Sequence, residues 1–134
     1  MAFVLDASVA AAWALPDESS SLADRLLTRT ELHGAVVPAL WWYELRNILI
    51  IAERRKRITA SDADAFLRNL ERLTIRIAEL GDGQRIQRLA RAHRLSVYDA
   101  AYLELALREN LPLGTLDRTL ALAAAPERVT ILKS

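Results

Sequence analysis

The chain has 134 residues, 52% of them hydrophobic and 26% charged, with no cysteine and only four glycines and four prolines. That is one domain's worth of foldable polypeptide, read as a single unit over 1–134; disordered, collagen-like and low-complexity classes are excluded, as are a disulfide framework and a thiolate zinc site. The formal net charge of +1 argues against a general polyanion coat but hides a pattern: residues 1–45 hold 2 basic and 6 acidic side chains, residues 46–94 hold 12 and 6, and residues 95–134 hold 4 and 5.

Phe3, Val4 and Leu5 form an apolar run too short for a helix, and Asp6-Ala7-Ser8 opens an alanine-rich stretch that suits one. A buried strand feeding a helix is expected. Pro16 stops that helix, Ser19 to Ser21 cap a second running to about Thr30, and His33-Gly34 ends it. Ala35 to Val37 is the next short strand, and Pro38 suits the first turn of a long helix from about Ala39 to Arg57. Thr59 with Asp62 resembles a capping box for a helix through Leu70. Thr74 to Ile77 alternates and is β-like. Gly81-Asp82-Gly83 turns into a helix ending near His93, and Ser96 with Asp99 opens another that runs to about Glu109. Leu113 to Thr115 is a clipped strand, Asp117 caps a short helix broken by Pro126, and Val129 to Leu132 is a closing strand.

Strands separated by helices, without hairpin signals, predict a three-layer α/β/α domain around a central parallel sheet of about five short strands. Repeats and linker-like segments are absent from the sequence. The start lacks a basic signal region and no apolar run approaches the roughly 20 residues needed to span a bilayer, so an unexported, cytoplasmic protein without a membrane partner is expected.

Ligands of open parallel sheets bind beyond the carboxyl ends of the strands. Asp6 directly follows the first strand, Asp117 follows the clipped one, and Asp99 lies in the first turn of a helix beginning near the same edge. Glu44 sits inside the long helix amid Leu40, Trp41, Leu45, Ile48 and Leu49, where an unpaired charge costs several kcal/mol. Each acid has a bland alternative: Asp6 and Asp117 are good N-caps, Asp99 a capping-box acid, Glu44 a border residue. Jointly they repel one another, which a hard cation would relieve. Oxygen-only ligation suits Mg²⁺ or Mn²⁺.

Val4-Leu5-Asp6-Ala7-Ser8, Pro38 followed by Glu44 and Asn47, Ser96-Val97-Tyr98-Asp99-Ala100-Ala101-Tyr102 and Leu113-Gly114-Thr115-Leu116-Asp117 together resemble the PIN-domain ribonucleases, and in length and wording the VapC toxins of prokaryotic toxin-antitoxin pairs. The resemblance runs almost end to end. It implies a Mg²⁺- or Mn²⁺-dependent endoribonuclease restrained by a small antitoxin. By it, Asp6, Glu44, Asp99 and Asp117 correspond to the acidic quartet, and Ser8 and Thr115 to the polar residues beside it; Gly114 is a mild departure.

The chemistry also fits without the family, because cations held by carboxylates can activate water and relieve charge on a leaving oxygen. Asp6 and Asp99 are the expected principal metal ligands, Glu44 a ligand or water-orienting base, and Asp117 an outer or second-metal ligand. Arg85, Arg88 and Arg91 share a helix face that Arg94 continues, and Arg54 to Arg57 end the long helix, so both clusters are candidates for RNA phosphates or simply solvated. Trp41, Trp42, Tyr43, Tyr98 and Tyr102 could stack on bases, or belong to a core or interface. The surplus of apolar residues through Ile48 to Ile51 suggests a partner surface, for a homodimer or an antitoxin helix.

Rival sites fail on composition. A haloacid-dehalogenase-type phosphatase wants a second Asp where Ser8 stands and a downstream lysine, where the only lysines are Lys56 and Lys133; a receiver domain wants paired acids at the start and a late lysine after a strand; and Ser8 lacks a nucleophile elbow. His33 and His93 read as surface residues. The alternatives that survive are a non-toxin PIN-fold RNA-processing nuclease and a non-catalytic RNA- or protein-binding module of that fold.

Overall fold

Phe3–Leu5, the first apolar run, forms strand β1 in the computed structural model, which describes residues 1–133. Its three side chains are fully buried, so the strand is covered on both faces, as continuous apolar runs in parallel sheets are. Strands β2 (Ala35–Val37), β3 (Ile75–Ile77) and β4 (Leu113–Gly114) join it in a parallel sheet of order β3-β2-β1-β4. The closing segment contributes a single parallel bridge, Ile131 to Leu113, in place of a full fifth strand.

Helices α1 (Ala7–Ala14), α2 (Ser21–His33), α3 (Ala39–Arg54) and α4 (Ala60–Leu70) lie in the connections that step from β1 to β2 to β3. Helices α5 (Gly83–His93) and α6 (Val97–Glu109) lie in the return to β4, and α7 (Arg118–Ala124) follows it. Right-handed crossovers in opposite directions place the two groups on opposite faces, giving three layers. In keeping with this, α1 packs on α2 and α3, while α6 packs on α5, α7, β1 and β4.

Sequence signals fix most boundaries locally. Ser20, Thr59, Asp82, Ser96 and Asp117 each accept hydrogen bonds from the first turn of the helix they precede. Helix α3 ends at Arg54, short of the expected Arg57, because Lys56 turns into the left-handed region at φ 61°. Helix α2 runs on to His33, where Gly34 takes φ 76° and closes it. Gly114 has a packing reason: a Cβ there would lie 2.8 Å from the Phe3 ring and 3.1 Å from Leu26, so a larger residue does not fit beside β1. Among the described residues, no helix is long and apolar enough to cross a membrane.

Candidate active site

The chain steps one way along the sheet from β1 to β3 and then returns to place β4 on the other side of β1. The order therefore reverses between β1 and β4, and a crevice opens beyond their carboxyl ends. Asp6 leaves β1 into this crevice, and Thr115 leaves β4 into it.

Asp6 occupies the N-cap position of α1 but makes no side-chain cap hydrogen bond. Its Oδ2 instead accepts from the Thr115 hydroxyl at 2.6 Å and the Ser8 hydroxyl at 2.7 Å. The capping alternative is thereby excluded for Asp6. The hydroxyls are themselves held, since Ser8 Oγ accepts from the Leu116 amide and Thr115 Oγ1 from the Asp117 amide. Asp6 is 7% exposed and Thr115 4%. Burial raises the Asp6 carboxyl above its ordinary range; the two hydroxyls lower it and the Asp117 charge raises it further.

Glu44 projects from α3, half buried, and its Oε1 accepts from the Tyr102 hydroxyl at 2.5 Å. Burial is the largest cause pushing Glu44 up, Tyr102 relieves it, and the charges of Asp6 and Asp99 raise it again. Asp99, in the first turn of α6, is pushed up by burial and by Asp117 and Asp6. Its amide donates to Ser96 Oγ at 3.0 Å, so the cap is made by Ser96 and the Asp99 side chain remains partly exposed. Asp117 is the one acid of the four that does cap: Oδ1 accepts from the amides of Thr119 at 2.9 Å and Leu120 at 3.2 Å.

Asp6, Glu44 and Asp99 are thus electrostatically coupled, with Asp117 acting on Asp6 and Asp99, and no arginine or lysine contributes to their shifts. Buried like charges without a counterion are the environment a cation improves most. The donor set also fits a hard ion, because Asp6 Oδ1, Glu44 Oε2 and Asp117 Oδ2 are not engaged by the side-chain hydrogen bonds just described, and the Asp99 carboxylate has only the Ser96 hydroxyl as a side-chain partner. Among the described residues, however, no three acids or histidines already stand close enough to hold one. Asp6, Glu44 and Asp117 are each turned toward a hydroxyl or amide partner.

Other expected residues fall outside this cluster. Asn47 is exposed and makes no side-chain hydrogen bond among the described residues. Arg85, Arg91 and Arg94 are exposed on or just after α5, but Arg88 is tied to Glu127 at 3.2 Å. His93 is not a plain surface residue: its Nε2 lies 2.7 Å from the same Glu127, with the ring side chain 15% exposed. Trp41 and Tyr102 are buried and cannot stack on a base, whereas Trp42, Tyr43 and Tyr98 are exposed. Tyr102 is instead the positioning partner of Glu44. Its spacing of three from Asp99 on one helix is the signal that connects it with the site.

Fold and site together define an α/β protein with a carboxylate-lined crevice at the sheet's switch point. The family model of the PIN domain matches residues 3–126. Ribonuclease VapC3 of Pyrobaculum aerophilum is 34% identical over 125 residues, covering 90% of this chain and 93% of that protein. The crystal structure of PAE2754 from Pyrobaculum aerophilum matches with a TM-score of 0.72 and 25% identity, covering 92% of this chain and 84% of that one. The chain belongs to the PIN-domain family and is of the VapC type.

Proposed function

We propose that the protein is a divalent-metal-dependent endoribonuclease, using Mg²⁺ or Mn²⁺, that acts as the toxin of a toxin-antitoxin pair. The observation that carries this reading is Asp6: a buried carboxylate that declines its helix cap, is aimed by two hydroxyls, and neighbours three more acids, with no ion pair to any of the four among the described residues. Asp6 and Asp99 would be the principal ligands, with Asp117 and Glu44 completing the set. A bound divalent cation supplies Lewis acidity, lowering the pKa of water and offsetting charge on phosphate oxygens.

The remaining work falls to the chain's own groups. Tyr102 fixes Glu44 Oε1, which leaves Oε2 to orient the attacking water and take its proton, and the raised pKa of Glu44 brings it nearer to working pH as a base. Ser8 and Thr115 hold Asp6 in one rotamer, so its other oxygen stays directed. Arg85, Arg91 and Arg94 offer exposed cations for RNA phosphates. Exposed Trp42, Tyr43 and Ile50 on α3 give an apolar surface for an antitoxin or a second copy in a homodimer.

Purified protein should cleave single-stranded RNA with Mg²⁺ or Mn²⁺, stop on chelation, and fail as Asp6→Ala. Expression alone should arrest bacterial growth, relieved by the adjacent small reading frame. Cleavage without growth arrest would favour an RNA-processing nuclease over a toxin, and no cleavage under any divalent cation would leave only a binding module.

A further inference from the structure

Glu44, Ile48, Ile51 and Arg55 follow one another at spacings of four, three and four along and just beyond α3, and so share one face of that helix. A groove of about 500 Å³ follows this face, lined by Ile48, Ile51 and Arg55 on one side and by Ser8, Leu116 and Asp117 on the other. A second groove, about 370 Å³, also starts at Leu116 and Asp117 and leads away past Arg118 and Lys133. The two therefore meet at Leu116 and Asp117, the one acid of the four that lines both, and each carries basic side chains along its course.

These cations differ in whether their charge is already spent. Arg57, in the first groove, is bonded to Asp17 Oδ1 at 2.8 Å and to Glu18 Oε2 at 2.9 Å, which also neutralises Glu18, the acid on the outer part of that groove. Arg55, Arg118 and Lys133 form no ion pair among the described residues. Arg55 lies about 16 Å along the helix from Glu44 at 1.5 Å per residue.

We propose that these two grooves form one continuous bed for a single RNA strand, with Arg55 and Arg118, the latter assisted by Lys133, binding backbone phosphates on opposite sides of the scissile bond. This rests on the reading of the protein as a ribonuclease. Ile48, Ile51 and Leu116 give the strand an apolar floor for a base to lie against, while the cations beyond it take phosphates, as basic grooves that track a single-stranded backbone do. Charge favours RNA over a protein here: the apolar floor runs directly into the carboxylates, where a polyphosphate with its cations fits better than a continuous apolar helix.

The test measures binding of a labelled single-stranded RNA to the inactive Asp6→Asn protein with Mg²⁺ present, across a salt series, and cleavage by the otherwise native enzyme. Arg55→Gln and the double variant Arg118→Gln/Lys133→Gln should each weaken binding about fivefold, raise KM with little change in kcat, and flatten the log-log salt slope by about 0.7 for each phosphate that is no longer neutralised. Arg25→Gln removes the same charge from exposed α2, outside both grooves, and should leave the slope unchanged. Unchanged slopes in the groove variants, with the native protein still cleaving RNA, would overturn the inference and leave the nuclease reading standing. The same holds if those variants alter only the oligomeric state, which would assign the grooves to a protein. Failure of the native protein to cleave RNA with either cation would overturn both.

Discussion

Thr115 and Asp6 are 109 residues apart in the chain, yet the Thr115 hydroxyl donates to Asp6 Oδ2 at 2.6 Å. The bond exists because β4 pairs with β1, Gly114 opposite Leu5, so the residues following each strand emerge side by side. Ser8 reaches the same oxygen from within α1. A carboxylate held from both sides of a switch point is positioned by the sheet itself and not by a mobile loop.

Burial of the Asp6 charge disfavours the metal-free fold. Asp6→Asn keeps an acceptor oxygen for Ser8 and Thr115 but removes the charge, so the metal-free variant should melt higher at pH 7 by about 3 °C. Its cleavage activity should fall by more than about 100-fold. Differential scanning calorimetry beside an RNA cleavage assay checks both; a lower melting temperature would contradict the electrostatic argument.

The pKa values of Asp6, Glu44 and Asp99 are raised in the folded state. Their contribution to stability is therefore fully present below the ordinary carboxylate range and is lost as pH rises through the raised values. A cation bound as proposed would compete with those protons, so stabilisation by Mg²⁺ or Mn²⁺ should be small near pH 4 and grow toward neutrality, approaching about 2.7 kcal/mol at a hundred times Kd. Melting curves with and without metal across pH should show the gap widening, and Asp99→Asn should shrink it.

Tyr102 donates its hydroxyl to Glu44 Oε1. Tyr102→Phe should cost about 1 kcal/mol of stability for the missing hydrogen bond. Because that bond lowers the Glu44 pKa, removing it should raise the pKa and move the acidic limb of the pH-rate profile to higher pH. A merely structural tyrosine would leave the limb in place.

Asp117 caps α7, and the ligand role proposed for it is separable from that cap. Asn caps as well as Asp, so Asp117→Asn should retain stability within a few tenths of a kcal/mol while reducing metal affinity, whereas Asp117→Ala should remove the cap as well, about 1 kcal/mol. Comparing denaturant midpoints with metal titrations separates the helix role seen in the cap hydrogen bonds from the proposed ligand role.

Gly114→Ala should destabilise by about 1–3 kcal/mol through overpacking, since the added Cβ meets the Phe3 ring and Leu26 within the core. The displaced β4 would also shift Thr115, so activity should fall with stability. Chemical denaturation and the cleavage assay measure the two together.

Short-range chemistry was legible in the residues themselves. Apolar triplets mark β1 and β2, N-cap side chains mark the starts of α2, α4, α5, α6 and α7, and the parallel α/β architecture follows from their alternation. The four acids could be singled out because each stands where a strand ends, a helix begins or an apolar face is interrupted. What pattern could not separate was whether such an acid caps its own helix or turns away from it. Asp6 and Asp117 look alike in sequence, but only Asp117 caps.

That difference is set by partners distant in the chain: Thr115 for Asp6, Tyr102 for Glu44, Glu127 for Arg88 and His93. Local sequence governs dihedral preferences and which face is apolar, because these depend on neighbours within a few residues. Hydrogen-bond pairing, burial of a charge and the neutralisation of an arginine depend on groups that only the sheet order brings together. The order of residues along the chain thus dictates the elements and the chemical type of the site, while the packed sheet and helices select which carboxylates are aimed, which ring is a positioning group and which cations remain unpaired among the described residues.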